Sequence, residues 1–491
     1  MNTPTSMNRR DVLRSTVYAG TALALPTWAN AAGSNGDIRI AVIGFKGRGS
    51  GHIGSLSKIK GVRIVALCDV DSEVMDKHVA NLKKNNVEVK SYTDYRKLLE
   101  DKDIDAVTIA TPNHTHTVIA LAALAAGKHV YVEKPVSHNV HEGAALVKAA
   151  SKVEGKLILQ HGMQRRSDLG WAAAEEYLKS GALGKTLLSR GVNYKARKSI
   201  GKVSGPQQPP STVNYDLWCG PRETAPVMRE KFHYDWHWQW AYGNGDIGNQ
   251  GPHQLDVARW MLHNPEKLPT RVMSFGNRWG YDDDGQTANN QLALYDYGKG
   301  TAPILFDNRG LPKADMNWQA GFEPVYKNVV RIGNVVHCEG GYIAEAKAYD
   351  NEGKWNGQKF AIQDGPDHMK NFILSIQAGK LVNPNLHVSH GHHAAALAHI
   401  ANISYRLGKK VAPAEIKERL QGDKFALETF EDFAANLAAN KIDIGVDQAH
   451  VGPWLTLNPD TLQFEGEFAA EANKLATEDV YRDGFKLAEV A

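Results

Sequence analysis

The sequence predicts an α/β chain of two folded halves, a doubly wound parallel sheet followed by an α+β half with a large, mostly antiparallel sheet. Three observations carry this expectation. Short apolar runs alternate with helical periodicity from residue 37 to about 160, the rhythm of strands joined by crossover helices. From about residue 185 the strand-like runs lengthen, several alternate polar and apolar residues, and few helices separate them, as in a sheet with one covered face. A chain of 491 residues, 42% hydrophobic and 23% charged, is ordinary for a globular protein and long enough for two or three domains.

Residues 8–14 read Asn-Arg-Arg-Asp-Val-Leu-Arg, a modestly apolar stretch runs from Thr16 to Pro26, and Ala29-Asn30-Ala31 follows. A basic region, a short apolar region and a small-residue cleavage site describe a signal peptide over residues 1–31. The paired Arg9 and Arg10 point to the twin-arginine (Tat) route, hence to an exported, periplasmic mature chain. No later segment approaches the roughly 18 continuous apolar residues of a membrane-spanning helix. Arg9, Arg10 and Arg14 against Asp11 give the leader a net +2 of the formal +3, which leaves the mature chain near +1. No basic stripe remains, so neither nucleic acid nor, after cleavage, a membrane is an expected partner. Cys68, Cys219 and Cys338 have no metal-ligand spacing and cannot all pair, so buried thiols are expected.

Residues 37–160 form the first domain. Ile38 to Ile43 is a short apolar run entering Gly44-Phe45-Lys46-Gly47-Arg48-Gly49-Ser50-Gly51, and a second run, Val62 to Leu67, ends at Asp69. Strand, glycine-rich turn, helix, strand and acidic residue follow one another as in the Rossmann fingerprint. The glycines admit a pyrophosphate to free N–H groups at the helix start. Asp69 accepts from ribose hydroxyls and repels a 2′-phosphate, favouring NAD over NADP. Lys46 stands where the strict pattern has its middle glycine, so Gly47, or Gly49 and Gly51, must supply the close approach. A further strand-like run, Asp105 to Ala110, ends at Thr111-Pro112-Asn113-His114-Thr115-His116. After an alanine- and leucine-rich helix closed by Gly127, the run Lys128 to Val132 ends at Glu133-Lys134-Pro135.

Thr111-Pro112-Asn113-His114-x-His116 followed by Glu133-Lys134-Pro135, after such an opening, resembles the paired signature of the glucose–fructose oxidoreductase/inositol dehydrogenase (Gfo/Idh/MocA) family. The resemblance implies a catalytic Lys134 between nicotinamide and substrate hydroxyl. It also implies a cofactor site of Gly44, Phe45, Lys46, Gly47, Arg48, Gly49, Asp69, Thr111, Pro112, Asn113, His116, Glu133 and Lys134. Family members pack the second sheet beside the nucleotide domain and often oligomerise through its open face, which implies a homo-oligomer here.

The second domain is expected over residues 161–410, opening at Gly162-Met163-Gln164-Arg165-Arg166. Its strands are expected at Thr186–Val192, Thr270–Arg278, Thr287–Asp296, Pro303–Asn308 and Val329–Cys338, and helices at Asp367–Gln377 and Ser389–Leu407. Phe232, Tyr234, Trp236, Trp238, Trp240 and Tyr242 occupy every second position. If extended, this stretch has one aromatic face, which serves equally as a saccharide wall or as core and interface filling. Next, a glycine-rich loop runs into Pro252 and a helix presenting His253, Asp256 and Trp260 on one face. The family's second motif is an Asp, a His four residues on and an Asp three beyond; Asn249, His253 and Asp256 match its spacing, with Asn249 in the first place. His253 is thus the second catalytic candidate, and the substrate set is Gln164, Arg165, Tyr194, Trp238, Asn249, His253 and Asp256. His390, His392 and His393 follow no zinc spacing, and no metal is assigned. Residues 411–491 extend beyond the recognised pattern without an assigned role.

Together these readings specify an NAD-dependent oxidoreductase acting on a secondary hydroxyl of a sugar or glycoside. Lys134 serves as acid/base and His253 holds or relays the proton. Outside the cytoplasm no nicotinamide pool recharges the enzyme, so export implies a tightly bound cofactor recycled within the site. Two alternatives stay open: an NAD-dependent glycosidase working by transient oxidation, elimination, water addition and reduction, and a non-catalytic sugar-binding protein on the same fold.

Overall fold

The computed structural model of the chain describes residues 36–319, 330–362, 368–477 and 481–491; the expected leader lies outside the described residues. Six short strands open the fold: β1 (Ile38–Ile43), β2 (Val62–Cys68), β3 (Lys90–Tyr92), β4 (Ala106–Ile109), β5 (His129–Val132) and β6 (Leu159–His161). They pair in parallel in the order β3-β2-β1-β4-β5-β6. The apolar runs are unbroken because both faces of the sheet are covered. Along β1, Ala41 and Ile43 pack against Val107, Ile119 and Leu124 on one side. Ile38, Ile40 and Val42 pack against Ile53, Leu67 and Phe372 on the other. Phe372 comes from the helix His368–Ala378, so a late element of the chain completes the first domain's core. Strand order reverses between β1 and β4, which opens a crevice beyond their carboxyl ends.

The second sheet has twelve strands: β7 (Thr186–Tyr194), β8 (Arg271–Asn277), β9 (Asn290–Asp296), β10 (Ile304–Arg309), β11 (Ile332–Cys338), β12 (Gly341–Ala344), β13 (Lys347–Tyr349), β14 (Trp355–Lys359), β15 (Lys409–Val411), β16 (Ala449–Val451), β17 (Leu455–Asn458) and β18 (Gln463–Glu465). Their order is β14-β13-β12-β11-β7-β10-β9-β8-β16-β15, with β17 and β18 attached at β8. Every pairing is antiparallel except β7 with β10. The sheet is therefore large and mostly antiparallel, as the sequence implies.

One expectation about this sheet is corrected. Its central strands bury both faces. Val272, Ala293, Ile304 and Phe306 meet Leu255, Ala396 and Leu397 on one side, from the helices Gly251–Trp260 and Val388–Arg406. The alternate residues Met273, Phe275, Leu292, Leu294 and Leu305 meet Ile416, Leu420, Phe430, Phe433 and Leu437 on the other. Those five belong to or directly follow helices Pro413–Arg419 and Lys424–Ala439, in the extension that had no assigned role. The face through which relatives of this fold were expected to oligomerise is thus occupied over β8–β10 by the chain itself, and a homo-oligomer built on it would have to displace these helices.

The aromatic segment is the second correction. Residues 235–238 form a 3-10 turn, so the two-residue alternation does not sort side chains onto two faces. Phe232, Trp236 and Tyr242 instead join Trp218, Cys219 and Val227 in a buried cluster. Cys68, Cys219 and Cys338 are all buried and unpaired. Among the described residues no group of three or more His, Cys, Asp or Glu side chains converges to hold a metal. No helix among them is long and apolar enough to cross a membrane.

Candidate active site

The crevice at the β1/β4 switch point is a cavity of about 440 Å³, within the usual size of a small-molecule site. Its floor is the glycine turn. Gly44 has φ +75, and a Cβ there would stand 2.6 Å from Thr111 Cγ2. A Cβ on Gly49 would stand 2.0 Å from the Gly44 carbonyl, so this glycine lets the helix Arg48–Leu56 pack on the strand. Gly47, by contrast, has open space where a side chain would be, and no side chain caps the helix that follows it. Free N–H groups beside an open backbone suit a pyrophosphate. Gly47 therefore takes the place that the strict pattern gives to the residue held by Lys46.

At the end of β2, Asp69 accepts from the backbone N–H of Phe45 at 3.0 Å and of Asp71 at 3.1 Å. Burial pushes its carboxyl up to about 6. Each oxygen keeps an acceptor site for a ribose hydroxyl. The residues present fit an NAD molecule along this floor.

The other end of the cleft is built around Glu133 and Lys134. The Glu133 Oε1 accepts from Arg48 Nε at 2.9 Å and contacts His52 Nε2 at 3.1 Å, while its Oε2 accepts from the Lys134 N–H at 3.1 Å. Burial alone would raise this carboxyl, but His52 and Arg48 outweigh it and hold it well below the usual carboxylate range. Glu133 is thus a fixed anion that anchors the loop carrying Lys134. His116 spans the two strand-end motifs, with Nδ1 2.6 Å from the Pro135 carbonyl and Nε2 2.7 Å from the Thr111 carbonyl.

Lys134 Nζ donates to the Asn249 carbonyl at 2.7 Å and to Asn249 Oδ1 at 3.2 Å. Burial lowers the Lys134 ammonium from its ordinary value. Two of its three donors are held by neutral acceptors, which leaves one for a substrate. His253 lines the same cavity, and its backbone N–H donates to the Gln250 carbonyl at 3.2 Å. Burial, with Lys134 and Arg165 nearby, lowers it to about 3, so it is a neutral imidazole at physiological pH. Asn113 Nδ2 reaches Asn244 Oδ1 at 3.1 Å and ties the first domain to the glycine-rich loop that carries Asn249.

Of the residues expected from the sequence, Gly44, Phe45, Lys46, Gly47, Arg48, Asp69, Thr111, Pro112, Asn113, His116, Glu133, Lys134, Gln164, Asn249 and His253 all line the cavity. Five others do not. Gly49 acts through helix–strand packing. Asp256 is consumed by a fully buried ion pair with Arg166 at 2.7 Å. Tyr194 is buried with its hydroxyl on Asp307 at 2.7 Å and the Arg309 guanidinium 4.4 Å from its ring centre. Trp238 is buried near Arg197, whose guanidinium lies 5.6 Å from its ring centre. Arg165 lies 5.7 Å from the ring of Trp171. For Asp256, Tyr194 and Trp238 these are corrections, each side chain carrying a structural contact where a substrate contact was expected; Arg165 stays close enough for its charge to lower His253. Missing from the expected set were the cavity residues Trp218 and Phe485, and His52, which supports Glu133 from outside the cavity, whereas Tyr234, Trp236 and His237 of the aromatic segment reach the cleft at its 3-10 turn.

Similarity to known proteins decides the family. Residues 38–161 match the oxidoreductase family with an NAD-binding Rossmann fold, and residues 176–329 match its C-terminal alpha/beta domain. Inositol 2-dehydrogenase of Serratia proteamaculans is 35% identical over 394 residues, 78% of this chain and 98% of that protein. The chain belongs to the Gfo/Idh/MocA oxidoreductase family. Inositol 2-dehydrogenase of Salmonella typhimurium is 32% identical over 181 residues, 37% of this chain, so the match spans only about half (52%) of that relative. The WlbA dehydrogenase from Bordetella pertussis, solved with NADH and UDP-GlcNAcA, shares the fold at a TM-score of 0.53 and 16% identity, over 74% of this chain and 96% of that one. Within this Gfo/Idh/MocA frame the first domain is an NAD-binding domain.

Proposed function

We propose that this protein is an NAD-dependent oxidoreductase of a secondary hydroxyl on a sugar or cyclitol. The observation that carries the reading is the Lys134 ammonium, buried in the cleft, lowered by burial and held by Asn249 beside a neutral His253. NAD, when bound, supplies the hydride acceptor for the carbinol carbon. The chain's own residues do the rest. Lys134, in its neutral form, takes the hydroxyl proton, and as ammonium returns it in the reverse direction. His253 and Gln164 offer hydrogen bonds that orient a polyhydroxylated ring, and Tyr234, Trp236 and His237 offer flat apolar surface for its C–H face. The inositol dehydrogenases to which the chain is similar support a cyclitol or sugar as substrate. They do not support the elimination–addition cycle of a glycosidase, which is set aside.

Export by the Tat route to the periplasm, suggested by Arg9-Arg10 and the leader pattern, remains part of the same proposal. With it goes a retained NAD(H), reduced by one substrate and reoxidised by a second carbonyl compound. The test is turnover of cyclitols and sugars by protein freed of unbound nucleotide. Sustained conversion on adding a carbonyl acceptor, without net NADH at 340 nm, is expected. A need for stoichiometric added NAD would refute retention and leave an ordinary dehydrogenase; no oxidation of any polyol with or without NAD would refute the activity.

A further inference from the structure

The stretch 481–491 passes one end of the cleft and touches both domains: Tyr481 hydroxyl donates to Glu142 at 3.1 Å, and Phe485 lines the cavity. At its start, Arg482 donates from its backbone N–H to the Pro221 carbonyl at 3.1 Å and from Nε to the Gly220 carbonyl at 2.8 Å, and its guanidinium holds Asp216. At its end, Leu487, Ala488 and Val490 pack into the core beneath the parallel sheet, and the Val490 carbonyl accepts from Lys152 Nζ at 2.8 Å. Between these anchors, the Gly484 carbonyl accepts from Arg96 Nη1 at 3.2 Å, and Phe485 turns inward with 4% of its surface exposed. The guanidinium carbons of Arg96 and Arg482 stand 4.5 and 5.1 Å from the Phe485 ring centre.

Phe485 walls the cavity together with Asp69, Asp94, Tyr95 and Pro221. Asp69, at the end of β2, marks the ribose end of a dinucleotide in this fold. The adjoining wall at this end, Leu217 to Pro221, is itself pinned to the first domain. Asn214 N–H donates to the Val70 carbonyl at 2.8 Å, Ser72 N–H to the Thr212 carbonyl at 2.9 Å, and His233 pairs with Asp71 at 2.7 Å. A nucleotide in the cleft is therefore enclosed at its adenosine end by two segments foreign to the nucleotide-binding domain, one of which ends in that domain's own core.

We propose that residues 481–491 are a strap belonging to the cofactor site: Phe485 closes the adenosine end of the cleft, and NAD(H) leaves only when the strap lifts from Gly220 and Pro221. The proposal rests on the reading that this protein binds and retains NAD(H), and it supplies the device that retains it. Slow release follows because dissociation must first break the Arg482 contacts and expose the Phe485 ring, a barrier felt in the off-rate.

The test loads the full-length protein with NADH and follows the loss of bound-nucleotide fluorescence after mixing with excess NAD. Phe485→Ala and Arg482→Ala should each release NADH at least about tenfold faster than the parent chain. In parallel, NADH loading should slow amide exchange across 481–491, a readout that needs no variant to fold. Equal release rates together with unchanged exchange overturn the strap while leaving the cofactor assignment standing. A parent chain that binds no NADH overturns the function proposed above, and the strap with it.

Discussion

At one end of the cleft Lys134, Asn249 and His253 come from a strand end and one glycine-rich helix start; at the other, Asp69 shares its walls with Trp218, Pro221 and Phe485, gathered from far along the chain. The first end is polar, with Lys134 Nζ on two neutral oxygens of Asn249, and carries the proposed acid/base. The second is aromatic and crossed by residues 481–491, and its carboxyl groups, Asp69 and Asp94, stand at the proposed ribose end of the cleft. Chemistry and retention are thus assigned to separate groups of residues. Substitutions at the Lys134 end should change turnover with little effect on nucleotide release, and substitutions at the Asp69 end should do the reverse.

The largest expected effect tests that division directly. Lys134→Ala should lower turnover by roughly two to four orders of magnitude, while NADH release stays within about twofold of the parent. His253→Ala should lose comparably, and the double variant less than the product of the single losses, because both act on one proton. Steady-state rates and stopped-flow release on the same samples check this. Near-normal turnover in the lysine variant would remove Lys134 from the mechanism.

A second prediction concerns fold rather than chemistry. Arg166 and Asp256 are fully buried as a pair at 2.7 Å, and removing one partner leaves an uncompensated charge. Asp256→Ala should destabilise by about 3–5 kcal/mol in denaturant unfolding, without the change in KM that a substrate contact would bring. A stable variant with a raised KM would return Asp256 to the substrate site.

Much of this was legible in the sequence, for a definable reason. The strand ends of an open parallel sheet place consecutive motifs on one crevice, so order alone brought Gly44, Asp69, Thr111 and Lys134 to one cleft, while the role of Lys134 came from the family resemblance. The large sheet was legible from runs such as Thr270–Arg278 and Pro303–Asn308. Three things were not. Alternation at 232–242 suggested an extended strand, but the aromatic positions are set by a 3-10 turn and a core cluster around Trp218. Asp256 lies on the expected helix, but its partner Arg166 is 90 residues away, and no local pattern announces such a pair. The extension after residue 410 shows ordinary helical spacing in Lys424–Ala439, which does not say that its apolar face covers β8–β10. Long-range pairings of this kind leave only generic marks in local sequence.

The third prediction uses Asn249. The motif that residues 249–256 resemble opens with a carboxylate; here Lys134 Nζ meets a neutral carbonyl and amide oxygen. Asn249→Asp would place an anion against the ammonium and raise the Lys134 pKa. The oxidative direction needs the neutral amine, so its rate limb should move to higher pH. Each tenfold fall in the neutral fraction at a given pH lowers the rate there about tenfold. An unchanged pH profile would show that Lys134 is not the group that titrates.

The smallest effect belongs to the adenosine end. The Asp69 carboxyl is raised by burial from 3.8 to about 6, so without nucleotide the folded chain holds this proton at pH values where the unfolded chain has lost it. The sign for stability follows: the contribution is present below the unfolded value and is lost as pH rises from 3.8 through about 6. Nucleotide reverses the preference, because ribose hydroxyls donate to the carboxylate and favour the charged form. NADH binding must therefore release this proton below about pH 6, and affinity should weaken as pH falls through that value. At a pH one below it only about a tenth of the sites remain ionised, which limits the loss to roughly tenfold. Fluorescence titrations between about pH 5 and 7.5 should show the weakening in the parent chain and a flatter profile in Asp69→Asn, which cannot titrate. Asp69→Ala should in addition relax the preference for NAD over NADP, since the 2′-phosphate no longer meets an anion. Parallel pH profiles in parent and Asp69→Asn would show that ribose does not sit on Asp69, and would move the adenosine end, and the strap with it, elsewhere in the cleft.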